Sequence, residues 1–130
     1  MTHTRSFTIA TALVAAIFLF LPSKGWTAGL PEGVAIEVIA EYASQTPGVE
    51  KILFRKITMK PGSSWTFTVP AQSLCQGTKG ELEVFDHTSG KTVVHKAGER
   101  WATTPGVEVT LTNKGTIDHE HLFYTMIVKK

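Results

Sequence analysis

From residue 34 onward, apolar and polar side chains alternate in short runs, and turn-forming residues separate the runs. A period of two sends successive side chains to opposite faces of a strand, so each run predicts a strand with one buried face. Residues 34–40 (VAIEVIA) predict the first strand, and 42–50, with Ser44, Pro47 and Gly48, predict a loop. Residues 51–60 (KILFRKITMK) predict a longer strand stopped by Pro61-Gly62. Residues 64–69 (SWTFTV) predict one rich in β-branched and aromatic side chains. In 80–87 (GELEVFDH), Leu82 and Val84 alternate with charges, and Thr88-Ser89-Gly90 turns the chain into 91–96 (KTVVHK). Further strands are predicted at 99–103, 107–112 and about 119–128, after turns at Ala97-Gly98, Pro105-Gly106 and Asn113-Lys114-Gly115. Glu37 and Glu41 are one helical turn apart, but Val38 and Ile39 favour a strand, and no segment beyond residue 30 carries a helical stripe. Gly77, Gly80, Gly90, Gly98 and Gly106 read as turn residues that need a permissive backbone. Eight or nine short strands with regular turns predict an all-β sandwich or barrel.

The N-terminal pattern is different. Residues 1–6 are polar with one Arg, residues 7–22 (FTIATALVAAIFLFLP) are an almost unbroken apolar run, and small residues follow. This order is that of a secretory signal peptide, expected over residues 1–28, with cleavage after Gly25 or after Ala28. The alternative is an uncleaved anchor, for which 16 apolar residues are short of the ~20 that span a bilayer. Both readings place a single domain, residues 29–130, outside the cytoplasm, in the periplasm or secreted.

Charge narrows the partners. Of the 13 Lys and Arg, Arg5 and Lys24 precede Gly29, leaving 11 against 11 Asp and Glu, so the domain is formally neutral. It lacks the basic footprint of a nucleic-acid binder and the basic stripe of a binder of anionic lipid. No membrane insertion is expected once the signal is cleaved. Cys75 is the only cysteine, so no internal disulfide exists and the domain relies on its apolar core. Beside Leu74 and far from any His in sequence, Cys75 reads as a packed side chain rather than a nucleophile.

Candidate chemistry is sparse. In Asp118-His119-Glu120-His121, a strand would point His119 and His121 to one face and Glu120 to the other, so both imidazoles could reach one first-row divalent ion. The pair supplies only two ligands, and it reads equally as a surface site or the start of an edge strand. His87 and His95 flank the 88–90 turn, either facing each other across the hairpin or facing solvent. A blue-copper site is excluded, because no His and Met follow closely on Cys75. Trp101 and Tyr124 read as barrel packing.

Two stretches, PGSSWTFTVPAQSLCQGTKGELEV (61–84) and KAGERWATTPGVEVTLTN (96–113), resemble the two motifs of cupins, which are double-stranded β-helix, or jelly-roll, barrels. The second motif of that family runs Gly, five residues, Pro, one residue, Gly, two residues, His, three residues, Asn. Here Gly98, Gly106 and Asn113 keep that frame, Thr104 replaces the first Pro, and Val109 replaces the His. The first motif runs Gly, five residues, His-x-His, three or four residues, Glu, six residues, Gly. Counting back from Gly80 puts Ser73 at the Glu and, with the four-residue spacing, Thr66 and Thr68 at the two His. Counting forward from Gly62 gives Thr68 and Pro70 instead. Neither count finds a His, Asp or Glu within 61–80.

The resemblance implies a cupin-type barrel that commonly dimerises through an edge strand. Its enzymes hold Fe, Mn, Ni, Zn or Cu on three His and one Glu, and hydroxyl and aliphatic side chains are too weak as donors to replace them. The chain is therefore expected to be a non-catalytic domain without a cofactor, binding a small molecule or a partner protein in a largely apolar barrel. The pocket candidates are Trp65, Thr66, Phe67, Thr68, Ser73, Cys75 and Val109, and a filled barrel core remains the alternative. A metal-dependent enzyme or metal-binding protein with its site relocated to His119 and His121, and a structural homodimer, are the other two readings.

Overall fold

The computed structural model describes Gly25–Trp26 and residues 29–130. The expected targeting segment, 1–28, lies outside the described residues except for Gly25 and Trp26, which form strand β1 (Gly25–Trp26) paired with Glu37 and Ile36. The described residues form ten strands in two antiparallel sheets. After β1 come β2 (Val34–Ala43), β3 (Val49–Met59), β4 (Ser64–Thr68), β5 (Ser73–Lys79) and β6 (Glu81–Asp86). They are followed by β7 (Thr92–Lys96), β8 (Arg100–Ala102), β9 (Glu108–Thr112) and β10 (His119–Val128). The six-stranded sheet has the order β1-β2-β3-β10-β5-β8, and the four-stranded sheet the order β4-β9-β6-β7.

Three elements differ from the pattern reading. The loop expected at 42–50 is shorter, because Tyr42 pairs with Ile52 and Ala43 with Lys51. The turn is then held by the Ser44 hydroxyl, which accepts from Thr46 N at 3.0 Å. Strand β5 was not expected, and its inverted pattern explains why. Small Ser73 and Cys75 are buried while Leu74 faces outward, 60 % exposed. The last strand, β10, lies between β3 and β5 in the middle of its sheet and is not an edge.

The glycines divide into two kinds. Gly80, Gly90, Gly98 and Gly106 have positive φ, as turn residues do. Gly77 does not: it sits inside β5, where a Cβ would stand 2.7 Å from the Lys96 carbonyl oxygen. Its lack of a side chain lets the backbone at Lys96–Ala97 close against the strand.

Register decides which side chains meet. Val38, Arg55, Phe123, Cys75 and Trp101 are cross-strand partners in sequence from β2 to β8, so they form one row on the inner face of the large sheet. Trp65, Leu111, Val84 and Val93 form the corresponding row on the small sheet. One end of the barrel is filled by Val34, Ile36, Ile57, Met59, Leu82 and Leu111. Each such side chain contributes about 1.5–3 kcal/mol when fully buried.

Asn113 closes that end. Its side chain is fully buried and fully satisfied: Nδ2 donates to the carbonyls of Met59 (2.8 Å) and Ile117 (2.9 Å), and Oδ1 accepts from Gly115 N (2.9 Å). It ties β3 to the turn that enters β10. Asn113→Ala leaves the buried Met59 carbonyl and the part-buried Ile117 carbonyl and Gly115 N–H without their partner, so a loss of roughly 1–3 kcal/mol is expected. Urea unfolding should show it as a lower midpoint at an unchanged slope.

Candidate functional site

The other end of the barrel is open. Between the two sheets lies a cavity of about 590 Å³. That is within the ~300–1,000 Å³ range of small-molecule sites. The barrel is thus packed at one end and hollow at the other.

Six of the seven pocket candidates line this cavity. Trp65, Phe67 and Val109 reach it from the small sheet, Ser73 and Cys75 from β5, and Thr68 lies at its rim. The Trp65 and Phe67 rings stack at 4.1 Å and make a continuous aromatic wall. Thr66 is a correction: it faces outward and shares a 2.7 Å hydrogen bond with the Thr110 hydroxyl on the opposite side of the sheet. Alternation along β4 forces this, because its neighbours Trp65 and Phe67 both point inward. The same alternation decides between the motif spacings. Three residues before Ser73, not four, place Phe67 and Val69 at the positions of the paired His, and both line the cavity.

The cavity also gathers residues that the sequence did not single out as a group. Phe123, Val84 and Thr125 line it, as do Arg55, Asp86 and Lys91. The signal for Arg55 was present, since it alternates with Leu53 and Ile57 on the inward face of β3. It was hidden because a charged residue in a strand normally marks the solvent face.

His95, Trp101 and His121 form an aromatic ladder on one wall. His95 stacks on Trp101 at 3.9 Å, and His121 meets the Trp101 ring edge-on at 5.1 Å. His87 is not part of it. It lies on the outer face, in a 2.7 Å hydrogen bond with Thr110, and does not face His95, which pairs across the hairpin with Leu82. Trp101 packs the barrel, whereas Tyr124 stacks outside it on Phe54 at 4.3 Å.

His119 and His121 share the inner face as alternation requires, but they are buried in the barrel rather than set at its surface. His119 Nε2 and His121 Nδ1 are 2.8 Å apart and hydrogen-bonded to each other, and His119 Nδ1 is buried with no partner. In the neutral pair one ring donates in this bond and the other accepts. Burial holds both imidazoles well below the usual His range. Glu120 points outward between Lys56 (3.6 Å) and Lys79 (4.0 Å).

The metal centre that the motifs imply does not fit these residues. Its positions are held by Phe67, Val69, Ser73 and Val109, none of which offers an imidazole or carboxylate. The two imidazoles of β10 turn one ring nitrogen each toward the other. Among the described residues no group of three or more His, Cys, Asp or Glu is gathered for an ion. Cys75 offers no thiolate either, since burial pushes its thiol up to about 12.

The neutral His pair couples stability to pH. A depressed pKa in the folded state means that the unfolded chain binds more protons below about pH 6.5, so stability is full above that value and falls as the solution is acidified. Between pH 7 and pH 5 a loss of roughly 2–4 kcal/mol is expected from the two groups together. Unfolding curves recorded across this range check it, and the combined replacement His119→Leu/His121→Phe should flatten the profile.

No family model matches the chain, and no curated protein matches it. Solved structures do. The chain superposes with a TM-score of 0.58 on a predicted oxalate decarboxylase from Thermotoga maritima, at 24% identity over 74% of this chain and 81% of that one. A cupin superfamily protein from Desulfitobacterium hafniense is similar at TM-score 0.57 and 13% identity, over 74% and 79% of the two chains. The Cupin 2 domain of an XRE-family transcriptional regulator from Enterobacter cloacae is similar at TM-score 0.60 and 12% identity, over 76% and 100%. At these identities the likeness is one of fold, and the fold of this chain is that of the cupins.

Proposed function

We propose that this is an exported, non-catalytic binding domain that takes a small, largely apolar molecule into the open end of its barrel. The observation that carries this reading is the 590 Å³ cavity, walled mostly by aromatic and aliphatic side chains. Export rests on the N-terminal pattern of the sequence, and with it a periplasmic or secreted location. Burying the apolar surface of a ligand supplies affinity without any catalytic group, and a few polar side chains orient it. The neutral apolar dye Nile red, titrated into the purified protein, is expected to bind with a blue-shifted emission. Val84→Phe fills the cavity and should weaken that binding at least about tenfold while leaving the unfolding temperature within a few degrees. Undiminished dye binding in Val84→Phe would place the dye elsewhere and count against the reading.

A second observation favours a homodimer as the working form. On the outer face of the large sheet, Ala40, Phe54, Tyr124, Leu74 and Ala102 are successive cross-strand partners, and Tyr42, Ile52 and Met126 form the next row. Leu74, Tyr42 and Tyr124 are substantially exposed there. The other half of the same face carries Glu37, Lys56, Glu120 and Lys79 in exposed ion pairs. Two copies related by a two-fold axis can bring like apolar halves together without a net charge opposing them. The contact would then be made by a sheet face rather than by an edge strand. Light scattering should report a dimer that becomes a monomer in Leu74→Lys/Tyr124→Lys, and a wild-type monomer would remove the reading.

A further inference from the structure

Arg55 is the anomaly of the cavity. It stands in the middle of β3, with Val38 on one side and Phe123 on the other, and its guanidinium carbon lies 4.6 Å from the centre of the Phe123 ring. Nη2 donates to Thr125 Oγ1 at 2.8 Å. Nε is buried and has no partner. Among the described residues, no carboxylate pairs with it, although Lys51, Lys56, Lys79 and Lys114 all have one. Burial alone pulls its pKa down, with no neighbouring anion to oppose the shift.

The nearby polar groups do not remove the problem. The Thr125 hydroxyl is shared with Ser73 Oγ at 2.7 Å, and Ser73 N donates to Thr103 Oγ1 at 2.8 Å. This chain of hydroxyls holds the guanidinium in place but adds no negative charge. Asp86, the one acidic residue lining the cavity, accepts from the backbone N–H groups of Thr88 (2.7 Å) and Ser89 (3.1 Å) in the β6–β7 turn. The charged lining is therefore two cations, Arg55 and Lys91, against one anion, and His95 and His121 are shifted toward the neutral form.

A half-buried cation without a counter-ion is poorly solvated, and an arriving anion relieves that cost. We infer that the cavity is a carboxylate site, in which Arg55 binds the head group of an apolar, aromatic monocarboxylic acid. The planar guanidinium fork, set among the cavity-lining side chains, matches a carboxylate. One uncompensated charge suits a monoanion better than a phosphate dianion, and among the described residues no helix N-terminus is present to take a phosphate. The rest of the ligand would lie against Trp65, Phe67, Trp101 and Phe123, whose ring faces favour an aromatic body. This assignment rests on the cavity being a binding site.

The test uses protein expressed from the full chain and three probes of one shape: 2-naphthoate, its neutral amide and 2-naphthyl phosphate. By calorimetry at pH 7, wild-type protein should bind the carboxylate at least about tenfold more tightly than the amide. Arg55→Met should abolish that preference, so that carboxylate and amide bind with equal affinity. Arg55→Met should leave the unfolding temperature of the free protein unchanged or raised, because it removes a half-buried charge with no carboxylate partner, and this shows that the variant is folded. Equal affinity for carboxylate and amide in the wild type would overturn the carboxylate assignment but leave the apolar cavity standing. Tighter binding of the naphthyl phosphate would overturn it in favour of a phosphate site. Failure of all three probes, together with failure of Nile red, would overturn the binding site itself.

Discussion

The pairing of β10 between β3 and β5 sets the inside of this protein. Because side chains alternate along a strand, a slip of one residue would exchange every inward group for its outward neighbour. His119, His121, Phe123 and Thr125 would leave the barrel, and Glu120, Leu122, Tyr124 and Met126 would enter it. Ten consecutive residues of β10 pair with β3, and six pair with β5, with an irregularity at each ladder. The buried His pair, the Arg55 row and the apolar outer face are all consequences of that one register.

The register also divides the barrel along its axis. At one end the inner positions carry Val34, Ile36, Ile57 and Met59, which fill the space, and Asn113 satisfies the backbone where the chain crosses it. At the other end the two sheets present small or polar residues at some positions, Ser73, Cys75 and Thr125 among them, and the space stays open. The barrel holds both a packed cluster and a cavity, and Ile36, Ile57, Leu82 and Leu111 belong to both. The packed end supplies the stability that allows the open end to remain unfilled.

The inner surface has exchanged one kind of chemistry for another. Where the motifs imply donors for a metal ion, it carries Phe67, Val69 and Val109. Its strongest electrostatic feature is instead Arg55, two strands away from β5 and facing the same space. At the motif positions on the small sheet stand Phe67 and Val109, which are part of an apolar wall and not metal donors. A cation on the large sheet faces that wall across the cavity.

Taken alone, the sequence determined the all-β class and most of the strands, because alternation and turn residues are local properties. It also marked Phe67, Ser73, Cys75 and Val109 as inward-facing. It did not reveal β5, where Leu74 is the outward residue, because hydrophobic alternation assigns the largest apolar side chain to the core. It misplaced Thr66, since the motif spacing allowed two frames and only the pairing of β4 with β9 chose between them. The meeting of Arg55, Ser73 and Thr125 was beyond its reach: residues 55, 73 and 125 become neighbours only through the order β3-β10-β5, and strand order is decided by tertiary packing.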